Sequence, residues 1–568
     1  MELERKAVSG IMLTLLLIGM LTLAFNIQPV KSTQEPPAVE WSKRYAGATA
    51  NEGWPYIVIQ TSDGGYAIAG RKYIQPPNDF DFWLIKTDAN GDMQWNKTYG
   101  GTNYEKVLNV IQTDDGGYAI VGDSWSFSGW YDAWLVKTDA NGNMQWNKVY
   151  GGAGVDTAIS VIQTSDGGYA IAGDTTSIGA GSYDFWLIKT DTLGNVQWQK
   201  TYGGGNDDVA RTVIQTSDGY ALSGGTRSFG VGQVDFWLGK TDANGNMQWN
   251  RTYGGTGIED IGVMVPTSDG GYALTGHTDS FGAGSADFWL VKTDSTGNIQ
   301  WNRAYGGVNT DWAYSVIQTG DGGYALGGRT SSFGAGGNDF WLVKTDKDGN
   351  MQWNETYGGT GDDRGFSVVQ TYDGGYALTG YTNSFSGDGS YEVWLIKLAP
   401  EHRTWIVDDD GPADFHTIQE AINAANPGDT IYVHNGTYYE NVVVNKTVSL
   451  IGENKETTII DASGIPVALS TSNIKISGFT IENGHTGIAN YFDGPPPWKS
   501  DNNTISDNQI KDCSTSGIRL SRFSDGNTIS NNLIVKNGFA GIHLEESDAN
   551  IIAGNTITNH SYANILFY

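Results

Sequence analysis

Six carboxylates recur at one fixed place in this chain. Glu105, Asp156, Asp208, Glu259, Asp311 and Asp363 each follow a repeat tyrosine by the same interval, and Asn51 takes that place in the first copy. Oxygen donors gathered from several segments are what calcium needs, since it takes about six to eight of them. The six carboxylates are therefore a candidate metal ring, with calcium as the cofactor it would hold. The competing account is local. A loop aspartate commonly accepts hydrogen bonds from nearby backbone N–H groups, and near-identity in every copy is what a turn demands. A second series, Asp81, Asp132, Asp184, Asp235, Asp287, Asp339 and Glu392, stands two residues before a repeated tryptophan and admits the same two readings.

Other residues suggest other chemistry. Trp54, Trp125, Trp130 and Trp312 stand off the repeated tryptophan positions, and an aromatic face is a platform for a sugar ring. Trp125, Trp130 and Trp312 are the candidate ligand-binding residues. Six of the 7 histidines fall late in the chain (His402, His416, His434, His485, His543, His560), without the close spacing of a metal motif. Asp512, with Arg519 and Arg522 nearby, is the candidate set for polysaccharide chemistry, but no residue is assigned as catalytic. Asp501, Asp525 and Asp548 align and read as turn formers. Sequons at Asn96, Asn250, Asn354, Asn435, Asn445, Asn502 and Asn559 are candidate glycosylation sites.

These residues ride on repeats. Trp41, Trp95, Trp146, Trp198, Trp249, Trp301 and Trp353 recur in a unit of roughly 50 residues, the range of solenoids and propellers. Each unit reads as four short strands. In MQWNKTY (93–99), alternation places Met93, Trp95 and Tyr99 on one face. SDGG between two apolar runs is a tight-turn signal, because Asp-Gly tolerates the positive φ of a hairpin. TDANGDMQW (87–95) returns as TDANGNMQW (138–146 and 241–249) and as TDTLGNVQW (190–198). A calcium loop needs an oxygen donor at alternating positions, and Leu193 takes such a place, so this stretch is a hairpin turn. Seven four-stranded units make a β-propeller. VEWSKRYA (39–46) is a lone fourth strand, and the last unit stops after its third, YEVWLIKL (391–398), so the N-terminal strand completes blade seven.

The tryptophan-bearing fourth strand after an Asp-x-x-Gly turn resembles the quinoprotein-dehydrogenase-like superfamily, in which such a tryptophan packs between blades. It is similar to a repeat type of exported archaeal and bacterial surface proteins. The resembling enzymes hold their quinone with an adjacent cysteine pair and a calcium cluster. Cys513 is the single cysteine here, outside the propeller.

After Leu398 the repeat ends. TIQEAINAA (417–425) puts Ile418, Ala421, Ile422 and Ala425 on one helical face. Three segments, 502–520, 526–544 and 549–567, then superpose. Ile505, Ile529 and Ile552 form one column, Ile510, Ile534 and Ile557 a second, and Ile518, Ile542 and Ile565 a third, while Asn508, Asn532 and Asn555 stack as an amide ladder. The opening helix resembles the cap of pectin-lyase-like right-handed parallel β-helices, and the rungs are similar to NosD-like repeats. That second resemblance implies copper delivery or carbohydrate binding, and copper would call on His485 and His543.

The expected protein is all-β: a seven-bladed β-propeller over 39–400 and a right-handed parallel β-helix over 404–568. Arg5 and Lys6 before the apolar run Ile11–Phe25 mark residues 1–32 as a secretory signal or an N-terminal anchor, the run being shorter than the about 20 residues of a membrane span. A net charge of −29 excludes nucleic acid as a partner. The functional expectation is an extracellular or cell-surface, non-enzymatic recognition protein. Its partner would be a glycan, an envelope polymer or another surface protein, with self-association through the apolar last rung. A carbohydrate-active enzyme on the β-helix, or copper delivery, is the alternative.

Overall fold

The computed structural model describes residues 36–45, 57–75, 79–127, 130–387, 389–401, 403–490, 500–521 and 524–568. Residues 1–32, Asn51, Trp54, His402 and Arg522 lie outside them. Two compact units divide the chain after Leu398.

Seven four-stranded antiparallel sheets build the first unit. Blade two runs Glu105–Gln112, Tyr118–Ser124, Asp132–Thr138 and Met144–Tyr150. Its two middle strands are buried along their whole length, whereas the outer strand is mostly exposed until Tyr150. Blade seven draws on both ends of the unit: Val39–Tyr45 pairs antiparallel with Glu392–Leu398 and supplies the outer strand. One departure from simple alternation is Met93. The register shifts between Lys86 and Thr87, and Met93 is exposed, with Asn96 donating to its sulfur, rather than sharing the buried face of Tyr99.

Each apolar cluster is shared by two adjacent blades, because a single sheet cannot bury both its faces alone. The outer strand then clasps the next blade's hairpin turn. Tyr99 Oη donates to Gly142 O at 2.7 Å, and a Cβ on Gly142 would lie 2.6 Å from the Trp95 ring. Gly142 also has φ +74°, so glycine is required there twice over. The aspartate of the same turn, Asp139, accepts the N–H groups of Asn141 and Asn143. In the TDTLGN copy Leu193 donates its N–H to Asp191 in the same way, so the nine-residue repeat is a capped turn gripped by its neighbour. Tyr45–Gly91 and Tyr305–Gly349 follow suit. Tyr357 is the exception. Blade seven takes its last two strands from opposite ends of the unit and has no such turn to offer, and Tyr357 Oη is buried without a partner among the described residues.

At the same end of each blade a buried lysine serves the SDGG turn. Lys137 Nζ lies 2.7 Å from Asp115 and 2.7 Å from Thr138 O, with its side chain 5% exposed. A buried ammonium is tolerated only when paired and hydrogen-bonded in this way. Burial pushes Asp115 up, but hydrogen bonds from Lys137, Thr113 and the Gly117 N–H outweigh it and hold the carboxyl down at about 2. Gln60 closes the ring by accepting the Tyr372 N–H at 2.8 Å.

The second unit is a parallel β-helix of three sheets with seven, six and six strands. Ile418–Ala424 is helical, capped by Thr417, with Ile418, Ala421 and Ile422 buried. Ile505, Ile510, Ile518 and their counterparts one rung on, Ile529, Ile534 and Ile542, are fully buried and pair in register. Asn508 N–H donates to Asn532 Oδ1 at 3.0 Å, and Asn532 N–H to Asn555 Oδ1 at 2.9 Å. A parallel ladder runs Asn503–Asn527–Asn550. Among the described residues no helix is long and apolar enough to cross a membrane.

Candidate binding site in the propeller channel

Six of the seven inner strands carry a β-bulge at the same place, which leaves Leu108, Ile159, Arg211, Gly262, Tyr314 and Phe366 unpaired. Bulges re-aim side chains, and all six of these residues line a central cavity of about 900 Å³. Two more positions join them in some blades, through Lys106, Thr157, Asp260 and Trp312 and through Asp123, Asp174 and His277. The residue after each ring carboxylate reads Lys106, Thr157, Val209, Asp260, Trp312 and Arg364; its cross-strand partner reads Asp123, Asp174, Gly225, His277, Arg329 and Tyr381, with Arg71 in blade one. In a chain that otherwise copies itself, the bulged residue and the one after the ring carboxylate differ in every described blade, and the cross-strand position varies with Asp and Arg each used twice.

The wall is aromatic and charged. Trp125 stacks on Tyr131 at 5.8 Å and 25°, remains 45% exposed, and lines the cavity together with Tyr104 and Phe80. Trp312 stacks on His277 at 4.6 Å, and the Arg329 guanidinium lies 4.3 Å from the same ring. Asp174 accepts the Ala210 N–H at 2.6 Å, while Asp260 stands 3.9 Å from Arg211. Burial raises Asp123 to about 6 against the pull of Lys106, and raises Asp174 to about 7 against Arg211. Burial likewise lowers Lys106 and His277, although Asp123 and Asp260 respectively oppose it. Aromatic faces beside such groups suit a polar ring-shaped ligand.

The ring carboxylates are not part of this lining. All six are at most 1% exposed. Asp311 accepts from the hydroxyls of Thr330 and Ser332 and from the Gly307 N–H, and Asp156 and Asp208 accept the same kinds of donor. Glu105 accepts from Ser124, Ser126 and the Gly101 N–H, Glu259 from Thr278 and the Gly255 N–H, and Asp363 from Ser384 and the Gly359 N–H. These are the bonds that loop capping uses, while Asp363 Oδ1 and, in the second series, Asp235 Oδ1, Asp287 Oδ1 and Asp339 Oδ2 are buried without a hydrogen-bond partner among the described residues. In the second series Asp184, Asp235 and Asp287 accept loop N–H groups, and Glu392 pairs with Arg44 at 2.7 Å. The two series meet at the blade junctions, where the glycine after the repeat tyrosine lies against both carboxylates.

Of the off-pattern tryptophans, Trp125 and Trp312 face the cavity, while Trp130 is 59% exposed and not part of its lining. The three variable positions escaped notice in the sequence. Their signal was a break in the repeat: YAIAGR, YAIVGD and YALTGH differ only slightly except at the last residue. The sequon asparagines are exposed, except Asn354, which is half-buried.

On the β-helix, Asp512 is exposed and Arg519 pairs with Glu545 at 2.9 Å. Asp501 and Asp525 each accept the N–H of the aspartate on the next rung. Copper calls for imidazole or sulfur ligands brought together. Among the described residues the one cluster of three metal-type ligands is Asp408, Asp409 and Asp410, all carboxylates. Neither His485 nor His543 belongs to such a cluster; His434 faces Glu453, His560 accepts the Asn537 N–H, and burial raises the Cys513 thiol to about 11. These donors sit apart and do not fit a copper centre.

Residues 422–568 match the family described as periplasmic copper-binding protein (NosD). No curated protein matches the chain. Among solved structures, an alginate lyase from Paenibacillus sp. str. FPU-7 is 17% identical, covering 27% of this chain and 57% of its own, with a TM-score of 0.22. The Pan2 WD40 domain of Neurospora crassa is 10% identical over 61% of this chain and 91% of its own, with a TM-score of 0.39. A pectin methylesterase from carrot is 16% identical over 29% and 71%, with a TM-score of 0.18. The chain thus spans little more than half the length of the alginate lyase.

Proposed function

We propose that the chain is an exported recognition protein of the cell envelope or cell surface, without enzymatic activity, and that its propeller channel takes a glycan. The observation that carries this reading is the break in symmetry. Positions that only hold the scaffold are copied from blade to blade, whereas the channel lining varies, and its bulged residues Leu108, Ile159, Arg211, Gly262, Tyr314 and Phe366 differ each time. A ligand without sevenfold symmetry needs such a lining. The half-exposed Trp125 on Tyr131 supplies the sugar platform. The family matched by residues 422–568 is described as periplasmic, which agrees with export.

The test is a glycan array probed with the full chain, followed by calorimetry on the best hit. Trp125→Ala should weaken binding by about tenfold or more, the range for a central aromatic contact. Binding untouched by Trp125→Ala together with Tyr131→Ala would move the site off the channel. Product release from an acidic polysaccharide, lost in Asp512→Asn, would instead place the function on the β-helix.

A further inference from the structure

We infer that Asn250 is the N-glycan acceptor of the propeller, and that the sequons of Asn96 and Asn354 are held out of use by the fold. The inference is independent of the channel and its ligand. All three asparagines stand at the same place on an outer strand, in NKT (96–98), NRT (250–252) and NET (354–356). What their side chains hold is different. Asn96 Oδ1 accepts the Trp83 Nε1–H at 3.0 Å, and its amide nitrogen lies 3.3 Å from Met93 Sδ. Asn354 takes Trp341 Nε1 at 3.1 Å and Met351 Sδ at 3.3 Å in the same way. The indole bond recurs where no sequon is present, at Trp134–Asn147, Trp186–Gln199 and Trp289–Asn302. Blade four is the exception. Asn250 is exposed, and Trp237 Nε1 is buried without a partner among the described residues.

The cause lies one strand inward. The residue paired with this position is Ile85, Val136, Ile188, Val291 or Val343 in the other blades, but Asn250 pairs with Gly239. A Cβ on Gly239 would stand 3.2 Å from Met247 Cε and 3.4 Å from its sulfur, so Met247 fills the room that the missing side chain leaves. Met247 is accordingly half-buried, where Met93 and Met144 are exposed. Turned inward, it does not receive the asparagine amide, and the amide does not dock on the indole. Glycan transfer needs such a free amide. Its nitrogen displaces diphosphate from C1 of a lipid-linked sugar: an N–C bond forms, the C–O bond to phosphate breaks, and the nitrogen gives up one proton. At Asn96 and Asn354 the side chain must first abandon a buried indole N–H, whereas at Asn250 that N–H is already without a partner.

The experiment incubates the folded full chain with an oligosaccharyltransferase and a lipid diphosphate-linked oligosaccharide, and follows each site by glycopeptide mass spectrometry. Peptides carrying the three sequons give the intrinsic rates by which the folded rates are divided. Asn250 should then be modified about tenfold faster than Asn96 or Asn354. Gly239→Val, which leaves the sequon intact, should bring Asn250 down to their level. Equal corrected rates in the parent overturn the inference, as does a folded chain left bare at Asn250 while its peptide is modified. An Asn250 rate unmoved by Gly239→Val, in a variant that melts like the parent, overturns it too. If Gly239→Val does not fold, Trp83→Phe supplies the second reading: with the indole gone, Asn96 should rise toward Asn250, and an unmoved Asn96 overturns the inference.

Discussion

The propeller and the β-helix are both stacks of short repeated sheets, but one closes on itself and the other does not. In the β-helix every repeat adds a rung, and the inward positions must match the rung above, so the interior fills with isoleucine columns and asparagine ladders. Variation there is confined to the outside and spread along the stack. In the propeller the repeats pack face to face and their inner edges converge on one channel. Three positions per blade are released from matching anything, and their differences accumulate in a single place. A closed ring therefore gathers its variable positions at one axis, whereas the stack spreads them along its length.

The comparison breaks most readily at the closure. Deleting residues 39–46 removes the outer strand of blade seven, with Trp41 and the Tyr45–Gly91 clasp. Losing buried aromatic packing costs about 3–5 kcal/mol for each such residue, and the edge strand left behind is an aggregation hazard. The propeller transition should vanish from a calorimetric scan while the β-helix transition stays. A propeller melt equal to the parent's would mean that the ring does not depend on this strand.

The open stack has its own weak point. Asn532→Leu leaves the Asn508 backbone N–H without its acceptor and removes the donor to Ile505 O, while the Asn508 side-chain amide keeps Ile476 O and Ser506 O. Each orphaned buried group costs about 1–3 kcal/mol. The β-helix transition should fall by more than in Asn445→Leu, an exposed position, and the propeller transition should not move.

A subtler contrast is pH. Asp123 and Asp339 are raised to about 6 and Asp174 to about 7, all by burial, with Asp363 adding to the effect on Asp339. Their folded values lie above the unfolded value of about 3.9, so their contribution to stability is full below that pH and is lost as pH rises through 6 to 7. Asp63, Asp115, Asp166 and Asp269, held at about 2, act in reverse and lose their contribution only as pH falls toward 2. Propeller stability should thus be greatest at about pH 4–5 and decline toward pH 8. Asp123→Asn with Asp174→Asn should flatten that decline and leave the β-helix unchanged; a profile that rises toward pH 8 would contradict the assignment.

The smallest expected effect concerns calcium. A ligand bound only by the folded state raises its stability by mass action. Because the ring carboxylates already hold hydroxyl and N–H donors, the propeller should melt at the same temperature with calcium and with chelator. A rise of several degrees in calcium would give the ring carboxylates a metal role after all.

The architecture was legible in the chain because it is written in local periods. Four strands per unit follow from alternation and turn residues, the closure follows from a lone fourth strand, and the rungs follow from aligned isoleucines. The turn copies were also legible as turns. Why their glycine is indispensable was not, since the Trp95 ring that Gly142 touches belongs to the preceding blade. The ring carboxylates drew attention by recurring, which is the mark of a residue the scaffold needs everywhere.

What the sequence determined by itself is therefore the number and kind of repeats, the strand that joins the two ends, and the inward columns of the β-helix. Each depends on spacing between residues near one another in the chain or one repeat apart. What only the tertiary structure decided is the channel. Lys106, Asp174, Arg211 and Trp312 belong to different blades and share no motif, and they meet because a bulge in six of the seven inner strands and the closing of the ring turn separate repeats toward one axis. Burial among those neighbours then sets their charge, and no stretch of sequence carries that information.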